Sequence, residues 1–301
     1  MSAVKVSSPD KMMFEDAGIT KAGLVAHYES VAPRMLGFMA GRPLTLQRFP
    51  NGISSNGFMQ KNAADHFPDS IRRFEVPRQG GGVTVYPVVD QADDVAYLAN
   101  QNTVTFHMWT SSMDRPMHPD WMVLDLDPDD GDLDGVRFAT AAIHEVLTEF
   151  GVDGFCLATG SSGFHVWVAL DGSMTGDEVS LASRAVAGIA AARHPERMTT
   201  EFLKRERKGR VFVDWLRNGP TATVVVPFSL RPKPQAPVAV PLTWDELAEA
   251  RPDGWTIGRL VDRLQVETNP RRQALSVDAI VEAARSAGVD LDSQFDRFGR
   301  K

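Results

Sequence analysis

Trp121-Met122-Val123-Leu124-Asp125-Leu126-Asp127-Pro128 is the stretch on which the fold turns. Five β-compatible, mostly apolar residues run into two carboxylates one residue apart. Side chains alternate along a strand, so Asp125 and Asp127 share a face. Pro128 and the Asp-Asp-Gly turn after it stop the strand. Adjacent carboxylates resist joint ionisation unless a cation sits between them. The pair is therefore a candidate divalent-metal site of the type that holds Mg²⁺ or Mn²⁺ against phosphates. Taken alone, an Asp-x-Asp is more often a solvated acidic turn, so the reading needs support from elsewhere in the chain.

Support comes from the residues downstream. Helical periodicity at about 134–150 puts Val136, Ile143, Val146 and Leu147 on one side. A strand at 155–159, the turn Gly160-Ser161-Ser162-Gly163, a strand at 164–170, a helix at about 176–193 and the strand Val211–Trp215 follow. The order is βαββαβ, a ferredoxin/RRM-like core, and the fold class is α+β. In that topology the first strand lies between the third and the fourth, helices cover one face, and the other face is expected to be open. Met122, Leu124, Leu126, Val166, Val168, Leu170, Val211, Val213 and Trp215 fit the helix side. Asp125, Asp127, His165, Trp167, Phe212 and Asp214 then turn to the open side. Three carboxylates and a histidine from three neighbouring strands would converge there.

Composition sets the outer limits. The chain has 301 residues, 43% hydrophobic and 24% charged, with a formal net charge of −7. These are ordinary values for a soluble globular protein, and the net charge argues against non-specific coating of nucleic acid while leaving room for a local grip on phosphates. Cys156 is the single cysteine, which excludes a disulfide framework and a thiolate zinc site. MSAVKVSSPDK lacks a signal-peptide apolar region, and no run has the length of a membrane span. A monomer in the cytoplasm, associated with the nucleoid, is the expectation.

The flanks are read as one composite domain over 11–301 preceded by a flexible 1–10. Its parts are an N-terminal α/β subdomain at about 11–118, the catalytic βαββαβ part at about 119–232, and a connector with helices at about 233–301. From Lys11 to Gly41 the pattern is helical, with Thr20 as N-cap. Pro43–Phe49, Val83–Val88 and Val104–Trp109 read as strands, and Asp90–Asn100 as a short helix. Arg78-Gln79-Gly80-Gly81-Gly82 is a turn between strands. Thr223–Arg231 reads as a further strand ending in arginine. The tail from Thr243 reads as helical, with 290–301 frayed.

Three carboxylates with basic side chains nearby suit phosphoryl or nucleotidyl transfer, and hard oxygen ligands favour Mg²⁺ or Mn²⁺ over zinc. A calcium loop over 125–136 fits poorly, because Gly131 falls at the seventh position and Val136 where a bidentate glutamate belongs. The turn before His165 would cradle phosphate through its backbone N–H groups, or would be a plain hairpin with a satisfied histidine. Arg231 fits a triphosphate clamp or a surface salt bridge, and His107 a ligand contact or a structural role. Lys204–Arg210 is a basic loop beside the third carboxylate, either a solvated face or, with Lys204 and Arg205 as candidates, a contact for template phosphates or incoming nucleotide. Phe58 and Phe67, among Lys61 and Arg72, would stack on bases or pack in the core.

Asp125-Leu126-Asp127-Pro128, the Gly160–His165 turn, Val211–Trp215 and Pro227–Arg231 together resemble the archaeo-eukaryotic primase superfamily. The branch is the polymerase domain of bacterial DNA ligase D and its stand-alone relatives. The likeness spans roughly 8–270. It implies Asp125, Asp127 and Asp214 as metal ligands. Thr159, Ser161, Ser162, His165, Arg48, His107, Ser229 and Arg231 would form the nucleotide site. Lys11 and Lys21 would bind a 5′-phosphate at a gap or break, with Phe58 and Lys61 on the template. Expected substrates are NTPs or dNTPs, often ribonucleotides, with Mn²⁺ preferred. Expected partners are gapped or broken duplex DNA, Ku and a separate ATP-dependent ligase. Gln47, Ser162 and Ala222 stand where lysines are usual in the family, which bears on nucleotide grip. A de novo primase and a catalytically weak DNA-end-binding module are the alternatives.

Overall fold

In the computed structural model, residues 4–78, 80–219, 221–260, 263–266 and 270–292 are described. Two units divide the chain. The first takes Met1–Asp114, Thr223–Val240 and Asp253–Gln265, and the second takes Arg115–Ala222, Pro241–Pro252 and Val266–Lys301. In chain order the elements open with β1 Met12–Phe14, β2 Ile19–Thr20, α1 Lys21–Met39, β3 Leu44–Arg48, β4 Phe58–Gln60, β5 Arg72–Pro77 and β6 Val83–Val88. After these come α2 Ala92–Asn100, β7 Thr103–Trp109, β8 Trp121–Asp127, α3 Leu133–Glu149, β9 Phe155–Ala158 and β10 Phe164–Ala169. The chain continues through α4 Gly176–Arg193, β11 Met198–Thr199, α5 Lys204–Arg207, β12 Val211–Asp214, β13 Thr223–Val225, β14 Val240–Leu242 and α6 Val277–Ser286.

The helix expected from Lys11 begins ten residues later. Gly18, at φ +64°, lets the chain reverse between β1 and β2, which pair antiparallel. Thr20 then caps α1, its hydroxyl accepting from the Gly23 N–H at 3.3 Å. The N-terminal stretch expected to be loose is tied down from Lys5. The Asn100 side-chain amide donates through Nδ2 to the Lys5 carbonyl at 3.0 Å, and the Ser7 N–H donates to Asn100 Oδ1 at 3.0 Å. Residues 1–3, Gln79 of the expected turn, Val261 and Asp262 of the expected helical tail, and 293–301 of the expected frayed end lie outside the described residues.

The first unit's sheet runs β13-β7-β3-β4, with β5 and β6 a separate hairpin. The strand expected over 223–231 stops at Val225. Pro227 has no N–H to donate to a ladder, and Phe228 takes φ +70°. Tyr28, fully buried on α1, links this segment to the sheet. Its hydroxyl donates to the Val104 carbonyl and accepts from the Leu230 N–H at 3.0 Å. Tyr28→Phe orphans both groups. It is expected to destabilise the protein by about 1–3 kcal/mol, read as a lowered urea midpoint at unchanged slope.

The second unit's sheet runs β11-β12-β8-β10-β9-β14, its outer strand β14 lying where the chain passes from one unit to the other. The βαββαβ order holds, with β8 between β12 and β10. Met122, Leu124 and Leu126 are fully buried, and α3 and α4 pack on β8. A capping box between Thr175 and Glu178 starts α4. The opposite face is not open as expected: His165, Asp125 and Asp214 are 5%, 8% and 6% exposed, and Trp167 is fully buried. Trp121, Phe155 and Trp167 fill part of that face as an aromatic cluster, with ring centroids 5.3–6.1 Å apart, and the Arg272 guanidinium lies over Trp121. In the tail, Trp244–Glu246 is only a 3₁₀ turn capped by Thr243, while Val277–Ser286 is helical as expected. Among the described residues no helix is long and apolar enough to cross a membrane.

Candidate functional site

Strand pairing builds the centre of the site. The register of β8 sets Asp125 opposite His165 on β10 and opposite Asp214 on β12, and sets Asp127 opposite Phe212. Residues directly opposite share a face, so His165, Asp125 and Asp214 form one row, with Asp127 a step further along the strand. His165 Nε2 lies 3.2 Å from Asp125 Oδ1. His165 Nδ1 is buried and has no hydrogen-bond partner among the described residues.

Two residues that the sequence did not single out complete the row. Arg217, three residues past Asp214 on a short 3₁₀ turn, places Nε 3.1 Å from Asp125 Oδ2 and 3.1 Å from Asp214 Oδ2. Asn218 pins the turn to β8: its amide donates to the Val123 carbonyl at 2.7 Å, and its carbonyl oxygen accepts from the Val123 N–H at 2.8 Å. The Leu216 N–H donates to Asp214 Oδ1 at 2.9 Å, which orients that carboxylate. The only signal in sequence was an arginine three residues beyond a strand-end aspartate.

The electrostatics separate the three carboxyls. Burial alone would raise Asp125, but His165 and Arg217 beside it hold it well below the usual carboxylate range. Asp127 is pushed up to about 6, first by burial and then by the charge of Asp125. Asp214 is also raised by burial, which outweighs its contact with Arg217. Such a set favours a bound cation that would let all three ionise. The donor chemistry therefore fits a divalent ion: three hard oxygen ligands, on one face, from two adjacent strands. No three such side chains among the described residues stand ready-drawn as metal ligands, and Arg217 and His165 already hold the Asp125 oxygens.

The turn before β10 is stiffened from within. The Thr159 hydroxyl donates to the Gly163 carbonyl at 2.7 Å and accepts from the Ser161 N–H at 3.2 Å. The Gly160 N–H donates to the Pro252 carbonyl at 2.8 Å. Two of the turn's N–H groups are thus already engaged, one within the turn and one by Pro252, and Ser162 is exposed. Lys204, beside the site in sequence, pairs with Asp129 and Asp130 at 3.3 and 3.5 Å, and Arg205 with Glu206 at 3.2 Å.

The other expected residues lie in the first unit, in two groups. Lys11, Lys21 and Arg48 form a cationic cluster. Lys11 donates to the Pro50 carbonyl at 2.8 Å and to Asn102 Oδ1, Lys21 to the Ser7 hydroxyl at 2.6 Å, and Arg48 Nε to the Gln101 carbonyl at 2.7 Å. Lys21 is lowered to about 8, first by burial and then by the charges of Lys11 and Arg48. Phe58, half exposed, carries the Arg48 guanidinium 5.6 Å above its ring, and Lys61 is exposed. Phe67 is a core residue packed edge-on against Tyr97, and of the two rings only Phe58 is exposed. In the second group Arg231 and His107 are half-buried. Ser229 departs from expectation. It is fully buried, and its hydroxyl accepts from the Phe106 N–H at 3.3 Å, so it serves the fold.

A family model described as LigD, primase-polymerase domain, matches residues 20–271. The chain belongs to this family. The multifunctional non-homologous end joining protein LigD of Mycolicibacterium smegmatis is 31% identical over 266 residues, 87% of this chain and 34% of that protein. The bifunctional LigD of Bacillus subtilis is 28% identical over 271 residues, 89% of this chain and 43% of that protein. The chain thus spans less than half the length of these curated LigD relatives. The polymerase domain of Mycobacterium tuberculosis ligase D, solved in complex with DNA, matches with a TM-score of 0.78 at 28% identity, over 97% of this chain and 98% of that one. The mixed α/β fold is that of the LigD polymerase domain.

Proposed function

We propose that this LigD primase-polymerase chain is a template-directed nucleotidyltransferase that extends primers at DNA gaps and breaks in end-joining repair, with ribonucleotides among its substrates. The observation that carries the reading is the cross-strand row of Asp125, His165 and Asp214 with Asp127 beside it. Asp125, Asp127 and Asp214 would hold Mn²⁺ or Mg²⁺, which when bound supplies charge neutralisation at the phosphates and an activated attacking hydroxyl. His165 offers its spare Nδ1 to a phosphate oxygen. Thr159 shapes the turn that Ser161 and Ser162 present to the same group, and Arg231 and His107 are assigned to the nucleotide. Gln47, Ser162 and Ala222 carry no charge, so the grip on triphosphate rests on fewer cations. Ku and an ATP-dependent ligase are the partners this role needs, at the nucleoid in the cytoplasm.

Lys11 and Lys21 are assigned to the 5′-phosphate of a gap or break, and the proximity of Arg48, expected at the nucleotide, to both lysines supports assigning it to the same group. Phe58 and Lys61 then meet the template beside it. Primer extension on a gapped duplex with and without a 5′-phosphate tests the reading. Mn²⁺-dependent addition, stimulated by the phosphate, is the expected result. No addition by the wild type on any primed template would overturn it.

The same cations favour a second reading, a DNA-end-binding module that recruits repair partners. Tight 5′-phosphate-dependent binding without incorporation would select it. Either way, Lys11→Ala with Lys21→Ala is expected to weaken binding to 5′-phosphorylated ends about 10- to 100-fold, as charge-assisted contacts are lost. The pH dependence has a definite sign. Phosphate prefers the protonated lysine, whose proton is lost from the free protein near pH 8, so the 5′-phosphate preference should be full below pH 8 and shrink above it. A preference unchanged from pH 7 to pH 9.5 in fluorescence anisotropy would remove Lys21 from the contact.

A further inference from the structure

Arg217 sits where a cation shared by two metal ligands would sit. Its Nε lies 3.1 Å from one oxygen of Asp125 and 3.1 Å from one oxygen of Asp214, on two different strands. A divalent ion held by those two carboxylates would compete with the guanidinium for the same oxygens and would be repelled by its charge. The carboxylates are nearly buried, their side chains 11% and 8% exposed, whereas the arginine side chain is 41% exposed. Arg217 therefore reaches inward from the solvent side, on a turn that Asn218 and the Leu216 N–H hold in place. The turn is held independently of the guanidinium, which is the solvent-exposed partner of the contact. Asp127 has no ion pair among the described residues, so the guanidinium occupies only part of the carboxylate set.

We propose that Arg217 is a built-in counter-cation of the catalytic carboxylates, one that a divalent ion must displace from Asp125 and Asp214 in order to bind. The inference rests on the reading of Asp125, Asp127 and Asp214 as metal ligands and adds a competitor to it. Metal loading then has a threshold set by the chain itself. At low free metal the two carboxylates are neutralised internally, and at higher metal the arginine is released on the side of the site from which it came. A freed guanidinium beside a metal-bound triphosphate adds a positive group at the place where negative charge collects.

Direct Mn²⁺ titration of the whole chain by electron paramagnetic resonance, without DNA or nucleotide, separates the possibilities. Arg217→Gln is expected to bind Mn²⁺ about tenfold more tightly than the wild type, a gain of about 1.4 kcal/mol. Its melting temperature is also expected to rise more on adding Mn²⁺, because stabilisation by a ligand grows with affinity. An arginine that only braces the fold would lower the melting temperature without tightening Mn²⁺. Equal or weaker Mn²⁺ affinity in Arg217→Gln overturns the proposal while leaving the metal site standing. If neither protein binds Mn²⁺ at millimolar concentration, the metal-site reading fails and takes the proposal with it.

A wild-type measurement avoids any question of variant folding. The ¹⁵Nε–¹H signal of Arg217 should lose protection from solvent exchange as Mg²⁺ is titrated in. Protection retained at saturating Mg²⁺ would show that the guanidinium stays on its carboxylates and would refute displacement.

Discussion

Asp125→Ala combined with Asp127→Ala is expected to reduce Mn²⁺-dependent nucleotide addition by about a thousandfold or more. Each tenfold corresponds to about 1.4 kcal/mol of barrier, and ions held by these residues would supply several kcal/mol of charge stabilisation. Binding to 5′-phosphorylated DNA should survive, because Lys11, Lys21 and Arg48 belong to the other unit. Full activity in the double variant would remove the carboxylates from the chemistry. The single change Asp127→Asn should dissociate stability from activity. Its carboxyl is held near 6, above its ordinary 3.8, so the folded state binds that proton more tightly than the unfolded chain does. The ionised form therefore weakens the metal-free fold above pH 6, and this penalty fades as pH falls toward 4. Asp127→Asn should stabilise the metal-free protein at pH 7 by on the order of 1–2 kcal/mol, after allowance for partial exposure, while nucleotide addition is lost. A variant less stable than wild type at pH 7 would contradict the assignment.

Gly163→Ala is expected to damage fold and site together. A Cβ at Gly163 would stand 1.9 Å from the Leu126 carbonyl oxygen, the backbone link between Asp125 and Asp127. Nothing flexible is there to yield, since the obstacle is the main chain of β8. Phe164 pairs with Leu126 in the ladder, so relief must come from parting the two strands at the row that carries His165. The cost should reach about 1–3 kcal/mol or more, and the altered spacing of Asp125, Asp127 and His165 should lower activity well beyond what lost stability explains. Thermal melts and primer extension on the same sample would show it. A variant with wild-type melting temperature and rate would mean that the strands part freely.

The contrast between what was legible in the sequence and what was not follows the range of the interactions. Alternation in Trp121–Asp127 and helical spacing over 134–150 and 176–193 are local, and they led to the βαββαβ order and to a third carboxylate on the neighbouring strand. The glycine turn was read as a phosphate cradle or a plain hairpin, but Gly163 also answers to a close approach of the Leu126 backbone, distant in sequence, which no local pattern encodes. The helix begun at Lys11 on periodicity was overridden by one left-handed glycine. Phe67 was left open between base stacking and the core, and Ser229 was placed at the nucleotide by the family resemblance; both are core residues, because burial is set by tertiary contacts. Arg217 escaped notice because its partners are Asp214 three residues away and Asp125 on another strand, and only the register of β8 with β12 unites them.

The first unit is sewn from three lengths of chain, Met1–Asp114, Thr223–Val240 and Asp253–Gln265, with parts of the second unit between them. During synthesis, β7 therefore emerges more than a hundred residues before β13, the edge strand that completes its sheet, and the whole run from β8 to β12 is made in the interval. A ribosome that stalls at residue 200 leaves β7 with an unpaired edge and β8 without the strand that brings Asp214. Completion of both sheets therefore waits on β12, β13 and β14, all made late in translation. A nascent chain released early would present sticky strand edges to chaperones and proteases rather than a half-working enzyme.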